Sequence, residues 1–224
     1  MLLTIPAVLS AEQLRHVQEL LADAPFVNGK LSAGKQAARV KHNLELASGA
    51  DKLAAQLNNI VMASLVQHPL YQYAALPLRV AAPYYARYSP GMHYGRHIDD
   101  PIMGSGNHYR SDISISIFLN APDTYQGGEL VIHTAFGRQH IKLPAGDAVM
   151  YPSSSLHEVS PVTDGERLVA VTWVQSLVRD PAQRELLYEL YQARETLLRD
   201  RPDAAETAQV SNAYVNLLRM WSEI

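Results

Sequence analysis

Apolar residues recur along this chain in different rhythms, and the changes of rhythm divide it. From Ser10 onward the spacing is helical: Leu14, Val17, Leu20 and Leu21 form one stripe, and Ser10-x-x-Gln13 is a capping-box pattern. Pro25 ends that helix. Val40, His42, Leu44 and Leu46 then alternate with polar residues, which is the period of a half-buried strand. A second helix is expected from about Asp51, capped by Ser48, to His68. Its stripe is Leu53, Leu57, Ile60, Val61 and Leu65, and Pro69 is expected to stop it.

From about Pro77 to Ser176 no helical period survives. Short runs (PLRVAAPYYARY, DISISIFL, GELVIHT, RQHIKL, DAVMYP and RLVAVTWV) alternate with Gly, Pro, Asn and Asp. Such spacing predicts an all-β barrel or sandwich, with Gly137 marking a hairpin turn between GELVIHT and RQHIKL. Helical spacing returns after Ser176. Asp180-Pro181 is a cap followed by proline at the first helical position. Leu186, Leu187, Leu190, Tyr191 and Leu197 continue the stripe, and a last helix is expected from about Asp203 to Trp221. Residues 1–76 thus read as an N-terminal flank of helices and a strand packing on the core. Residues 77–176 read as the β core, and 177–224 as a C-terminal helical extension. The fold class is mainly β with flanking helices.

Composition narrows the chemistry. The 224 residues, 47 % of them hydrophobic, suffice for one core without covalent staples. There is no cysteine, so disulfides, a thiolate nucleophile and thiolate-bound metals are excluded. Any metal site must be built from His, Asp and Glu. The net charge is −3 with signs interspersed, and no Lys/Arg run offers a stripe for phosphates, so nucleic acid is not an expected partner. Residues 1–9 are apolar, but the run is short and no basic residue precedes it, so no signal peptide is expected. Nowhere do 18 apolar residues follow one another, and no membrane span is expected either. A soluble, cytoplasmic protein is the expectation. The C-terminal helices carry more apolar surface than a detached tail would leave in water. They are expected to pack on the core and to contribute to a homo-oligomer.

His97-Ile98-Asp99 stands where a strand would lead into a loop. Residues two apart on a strand share a face, so both side chains would reach one ion. Alone, such a pair arises too readily by chance to mean much. His157, on the later strand-like segment LHEVSPV, and Arg167, at the head of RLVAVTWV, change its weight. Two imidazoles and a carboxylate form the facial arrangement of non-haem iron(II) oxygenases, which leaves coordination positions open. An arginine nearby suits the far carboxylate of a chelating 2-oxo acid. Ser114, Ser116 and Phe118 share one strand face, and two small polar groups there suit a cavity. Asp100 is expected to point away from Asp99, and Glu158 away from His157. His93 and His108 flank the metal loop, where substrate or solvent would meet them; the other histidines read as structural or exposed.

These elements also come in a known order: Arg87-Tyr88 and Gly91, Tyr94-Gly-Arg-His97-Ile-Asp99-Asp-Pro, SISIFLN, GGELVI, GDAVMYPSSSLHEVSPV, and Gly165-Glu-Arg167 with Trp173 beyond. Over residues 77–176 the set resembles the double-stranded β-helix (jelly-roll, cupin-like) core of iron(II)/2-oxoglutarate dioxygenases in the prolyl 4-hydroxylase branch. Over the whole chain it resembles bacterial PKHD-type hydroxylases, a group linked to iron uptake. The resemblance implies His97, Asp99 and His157 as Fe(2+) ligands, Arg167 as the 2-oxoglutarate anchor and Tyr88 in the cosubstrate pocket. It also implies L-ascorbate (vitamin C) as an accessory. Leu130 and Val159 match an apolar wall and Trp173 a core aromatic; by their own chemistry all three read as packing residues. Some relatives place a tyrosine where this chain has Phe118, so Arg167 needs another helper, Tyr88 or Ser116.

The implied reaction couples decarboxylation of 2-oxoglutarate to hydroxylation of a small molecule or a peptide, with no catalytic group beyond the metal centre. Competing readings are a prolyl or lysyl hydroxylase of proteins and a non-catalytic iron or 2-oxoglutarate sensor. A cupin-type isomerase would be built around a His-x-His pair, which this chain lacks.

Overall fold

The strand Ile113–Phe118 is buried along its whole length, yet its two faces meet different surroundings. Ile113, Ile115 and Ile117 join the apolar cluster that holds Val17, Leu21, Leu57, Val61 and Leu65 from the N-terminal helices. Phe118, on the opposite face, joins a second cluster with Tyr88, Leu130, Ile132, Tyr151, Val159 and Val169. Ser114 and Ser116 share that second face, because side chains alternate along a strand. One sheet therefore separates a dry helical layer from a more polar interior.

A computed structural model describes residues 1–104 and 106–224. In chain order the first elements are β1 (Leu3–Ile5), α1 (Ala11–Ala22), β2 (Phe26–Asn28), β3 (Lys41–His42), β4 (Leu44–Leu46), α2 (Asp51–Gln67) and α3 (Pro69–Ala75). There follow β5 (Pro77–Val80), β6 (Tyr84–Tyr88), β7 (His93–His97), β8 (Ile102–Met103), β9 (Tyr109–Arg110) and β10 (Ile113–Phe118). Next come β11 (Tyr125–Gly127), β12 (Leu130–Thr134), β13 (Gly137–Ile141), β14 (Ala148–Pro152), β15 (His157–Val159), β16 (Val162–Gly165) and β17 (Arg167–Ser176). The helices α4 (Pro181–Asp200) and α5 (Ala205–Trp221) close the chain.

The larger sheet runs β1-β14-β10-β17-β6-β4-β2, with β5 also on β17, and the smaller runs β13-β12-β15-β7-β3. The second apolar cluster draws residues from both sheets and fills the space between them, the arrangement of a jelly roll.

Local signals account for most boundaries. Ser10 and Gln13 form the reciprocal capping box of α1, and Asp180 accepts from the backbone N–H groups of Ala182 and Gln183 to start α4. The β12–β13 hairpin closes with Thr134 opposite Gly137, whose φ of +119° suits glycine. Two expectations fail. Ser48 does not cap α2; the N-cap is Ala50, without a side-chain bond. Leu186 is exposed, and its neighbour Leu187 takes the buried position. Pro69 does stop α2, which ends at Gln67 with His68 extended, and it also opens α3, where proline lacks only an N–H that a first turn does not use.

Residues 1–76 do more than pack from outside. β1 pairs with β14 at one edge of the larger sheet, β2 and β4 extend its other edge, and β3 joins the smaller sheet. The phase of β3 and β4 is also the reverse of the apolar-inward expectation: Lys41, Asn43 and Glu45 are buried, while His42 is exposed and Leu44 and Leu46 are only half-buried. Leu46 packs toward the helical layer, which leaves Glu45 for the interior. Among the described residues no helix is long and apolar enough to cross a membrane.

At the other end of the chain, Leu187 and Tyr214 pack with Leu76 and Val178 in a third apolar cluster. Leu187→Ala should lower the free energy of unfolding by about 2–5 kcal/mol in urea titrations. Leu186→Ala should change it by less than about 0.5 kcal/mol. Equal effects at the two positions would show that α4 does not bury the face described.

Candidate metal centre

β7 ends at His97, so Asp99 sits in the following loop and not on the same strand. What brings the triad together is pairing across strands. His97 lies opposite His157, and the register then slips so that Val159 lies opposite Tyr94. This bulge places Tyr94 and His97 on one side despite their odd spacing, and their rings stack at 3.6 Å with a 14° tilt.

The Nε2 atoms of His97 and His157 lie 3.7 and 3.8 Å from Asp99 Oδ1. Each imidazole is oriented through its other nitrogen: His97 Nδ1 is 2.9 Å from the Gly95 carbonyl and His157 Nδ1 is 3.0 Å from that of Ser155. A carbonyl only accepts, so each Nδ1 carries the proton and each Nε2 lone pair faces Asp99. The other carboxylate oxygen is occupied. Asp99 Oδ2 accepts from Ser114 Oγ at 2.5 Å and Trp173 Nε1 at 2.9 Å, which leaves Oδ1 for an ion. Burial, with His157 beside it, lowers the His97 pKa to about 4, so the ring is neutral and basic toward a metal at ordinary pH. The three side chains present ligand atoms within 4.8 Å of one another. Asp100 and Glu158 do not join them; Glu158 meets His133 at 3.1 Å.

Arg167 opens β17 directly opposite Tyr88 of β6. Its side chain is only 1 % exposed, yet its Nε has no hydrogen-bond partner. No Asp or Glu of the described residues pairs with it; the adjacent Glu166 pairs instead with Arg87 at 3.3 Å. The guanidinium lies 5.0 Å from the Tyr88 ring and 5.6 Å from that of Phe118. Burial pushes the Tyr88 hydroxyl up to about 12, with Arg167 drawing it back in part. Gly128, at φ +67°, makes room for the arginine stem: a Cβ there would sit 3.1 Å from Arg167 Cδ.

One cavity of about 580 Å³ is lined by the triad, Arg167, Tyr88, Ser116, Leu130 and Val159. His93 and His108 do not line it. His93 packs edge-on against His42, and His108 is exposed.

Trp173 is more than the packing residue expected, since it holds Asp99. Tyr94 and Tyr151 also line the cavity without having been singled out. The Ser-x-Ser face of β10 was a usable signal for the clamp on Asp99. The bulge that recruits Tyr94 leaves no mark in the sequence.

Residues 83–175 match the family model of the 2OG-Fe(II) oxygenase superfamily, and residues 181–223 match that of the PKHD-type hydroxylase C-terminal domain. An oxidoreductase of the 2OG-Fe(II) oxygenase family from Burkholderia pseudomallei has a similar structure, with a TM-score of 0.59 at 17 % identity over 78 % of this chain and 85 % of that one. A prolyl hydroxylase from Trichoplax adhaerens, solved with a hypoxia inducible factor peptide fragment, gives a TM-score of 0.53 at 18 % identity over 83 % and 86 %. The fold is that of the 2-oxoglutarate-dependent iron(II) oxygenases. The PKHD-type hydroxylase Tgr7_2199 of Thioalkalivibrio sulfidiphilus is 55 % identical over 225 residues, covering 100 % of both chains. The chain belongs to the PKHD-type hydroxylases, which are 2-oxoglutarate-dependent oxidoreductases.

Trp173→Phe removes one of the two donors on Asp99 Oδ2. Losing such a supporting bond typically weakens metal binding by about 10- to 100-fold, a change that titration with cobalt(II) should detect. Unchanged affinity would mean that the indole does not orient the carboxylate. In metal-free protein, NMR should find the His97 ring neutral until the pH nears about 4. The unfolded chain takes up that proton near its ordinary pKa of about 6.5. His97 therefore adds stability above that value, and the contribution is lost as the pH falls from there toward 4.

Proposed function

We propose that the protein hydroxylates a C–H bond in a small or medium-sized metabolite connected with iron acquisition. In this reading Fe(2+) is held by His97, Asp99 and His157, and 2-oxoglutarate by Arg167 with Tyr88 beneath it. The observation that carries the reading is the guanidinium without a counter-charge. An uncompensated buried charge is strongly destabilising, and a dicarboxylate reaching from the triad to Arg167 would supply the missing anion.

Iron(II), when bound, supplies oxygen activation, and decarboxylation of 2-oxoglutarate supplies two electrons. The chain's own residues set the conditions. Ser114 and Trp173 fix Asp99, the two backbone carbonyls fix the imidazoles, and Leu130, Val159 and Tyr151 line the cavity. L-ascorbate belongs to this reading as an external reductant that keeps the metal as iron(II). The protein would act in the cytoplasm as a homo-oligomer, without nucleic acid or membrane as a partner.

The link to iron acquisition rests on the resemblance to iron-uptake hydroxylases. The shape of the cavity favours a compact substrate, because residues of the 32–45 segment and of the β8–β9 hairpin both wall it. Succinate release should be compared across a panel of siderophores and a panel of proline-containing peptides. Peptide hydroxylation with no response to any siderophore would replace this reading with the prolyl one.

Arg167→Ala should raise the Michaelis constant for 2-oxoglutarate by roughly 10- to 100-fold, the equivalent of about 1.5–3 kcal/mol for a charge-assisted pair. Arg167→Lys should recover part of the loss, since lysine restores charge but not the fork. Asp99→Ala should abolish succinate formation and weaken metal retention. Wild-type turnover in Asp99→Ala, or an unchanged constant in Arg167→Ala, would move the corresponding site elsewhere.

A further inference from the structure

Two polar atoms beside the cavity are buried without a partner in hydrogen-bonding geometry, the Nε of Arg167 and the hydroxyl of Tyr125. Tyr125, at the start of β11, is 1 % exposed. Both atoms are shut off from solvent, so a protein group must satisfy them. The sheet makes the two residues neighbours. Tyr125 pairs across β11 and β16 with Gly165, two residues before Arg167. A Cβ on Gly128 would lie 3.1 Å from Arg167 Cδ and 3.1 Å from Tyr125 Cε2, so the arginine stem and the edge of the phenol ring border one gap.

The phenol ring is held in place from several sides. Gly165, at φ +70°, lets β11 come close: a Cβ there would lie 2.8 Å from Tyr125 Cα and 3.1 Å from Tyr125 Cβ. Lys142 Nζ donates to the Tyr125 carbonyl at 2.7 Å and lies 4.0 Å from the ring centroid. Burial raises the pKa of the Tyr125 hydroxyl, and the Arg167 guanidinium, close enough to act on it, draws it partly back. Two other rings lie near the guanidinium. Phe118 has no hydroxyl, and the hydroxyl of Tyr88 is acted on by the Asn43 carboxamide as well as by Arg167.

We propose that Tyr125 is a positioning residue for Arg167: in the complex with 2-oxoglutarate its hydroxyl accepts the Nε–H of the guanidinium, which turns the two terminal nitrogens toward the far carboxylate. A guanidinium carries five N–H donors in one plane, so holding Nε–H from behind selects the edge of the fork that faces the cavity. Tyr125 is not among the residues lining that cavity and acts through Arg167. The inference deepens the function given above and rests on Arg167 binding 2-oxoglutarate.

The test uses full-length protein loaded with zinc(II), which does not turn over. It compares 2-oxoglutarate with 2-oxopentanoate, which has the same chelating end but lacks the far carboxylate. Calorimetric titration of the wild type should show tighter binding of 2-oxoglutarate. Tyr125→Phe keeps the ring and removes only the oxygen. It should weaken 2-oxoglutarate binding about tenfold, the effect of losing one hydrogen bond to a charged group, and leave 2-oxopentanoate unchanged. A merely structural role would weaken both. Proton NMR supplies a reading that needs no variant: in the wild-type complex the Arg167 Nε–H should show a nuclear Overhauser contact with the Tyr125 ring.

Absence of that contact overturns the proposal, as does equal weakening of the two acids in Tyr125→Phe. If the wild type separates the two acids and Tyr125→Phe separates them just as far, the positioning role falls alone. If the wild type itself binds both equally, the reading of Arg167 as the anchor falls with it.

Discussion

A guanidinium sealed inside a β-barrel, with no carboxylate beside it among the described residues, is the constraint around which this protein is arranged. Arg167 is held by its backbone at the start of β17 and lies over the faces of Tyr88 and Phe118. Aromatic faces ease a buried cation, but they do not neutralise it. Glu166, just before it in sequence, pairs with Arg87 instead. The charge has no counter-ion among the described residues, and Arg167 lines the cavity that the triad also lines. Gly128 keeps the space for the arginine stem open, at a backbone conformation that favours glycine.

The same sheet fixes the other end of the cavity. Asp99 has two oxygens with separate tasks: Oδ2 is tied to Ser114 and Trp173, and Oδ1 faces the two imidazole nitrogens. Ser114 and Trp173 are cross-strand neighbours on β10 and β17. A slip of one residue in either strand would turn its donor into the helical layer, where Ile115 and Val174 now sit. Packing of the helices against one face of the sheet thus preserves the polar geometry of the other. Stability and chemistry depend on one register.

The N-terminal segment shows the same logic from the opposite direction. Its side chains alternate between two faces, as a strand requires, but the set that faces inward is the polar one. A strand bordering a dry core buries its apolar side; β3 and β4 border a polar cavity, so Lys41, Asn43 and Glu45 are the residues that face it. Burial of a lysine and a glutamate is tolerated because they pair with each other and with Ser32.

Much of this was legible in the sequence. Period and punctuation located α1, α4, α5 and most central strands, because caps, prolines and alternation act over a few residues. The order of His97, Asp99, His157 and Arg167 along the chain was readable too, since the chemistry of a facial triad restricts the residue types. Other features depend on contacts between distant segments. The β7 bulge that stacks Tyr94 on His97, the clamp of Trp173 on Asp99, and the inward phase of β3 and β4 all depend on which strand lies alongside which. Local propensity fixes that a strand alternates; only the sheet it joins decides which of its two faces becomes the inside.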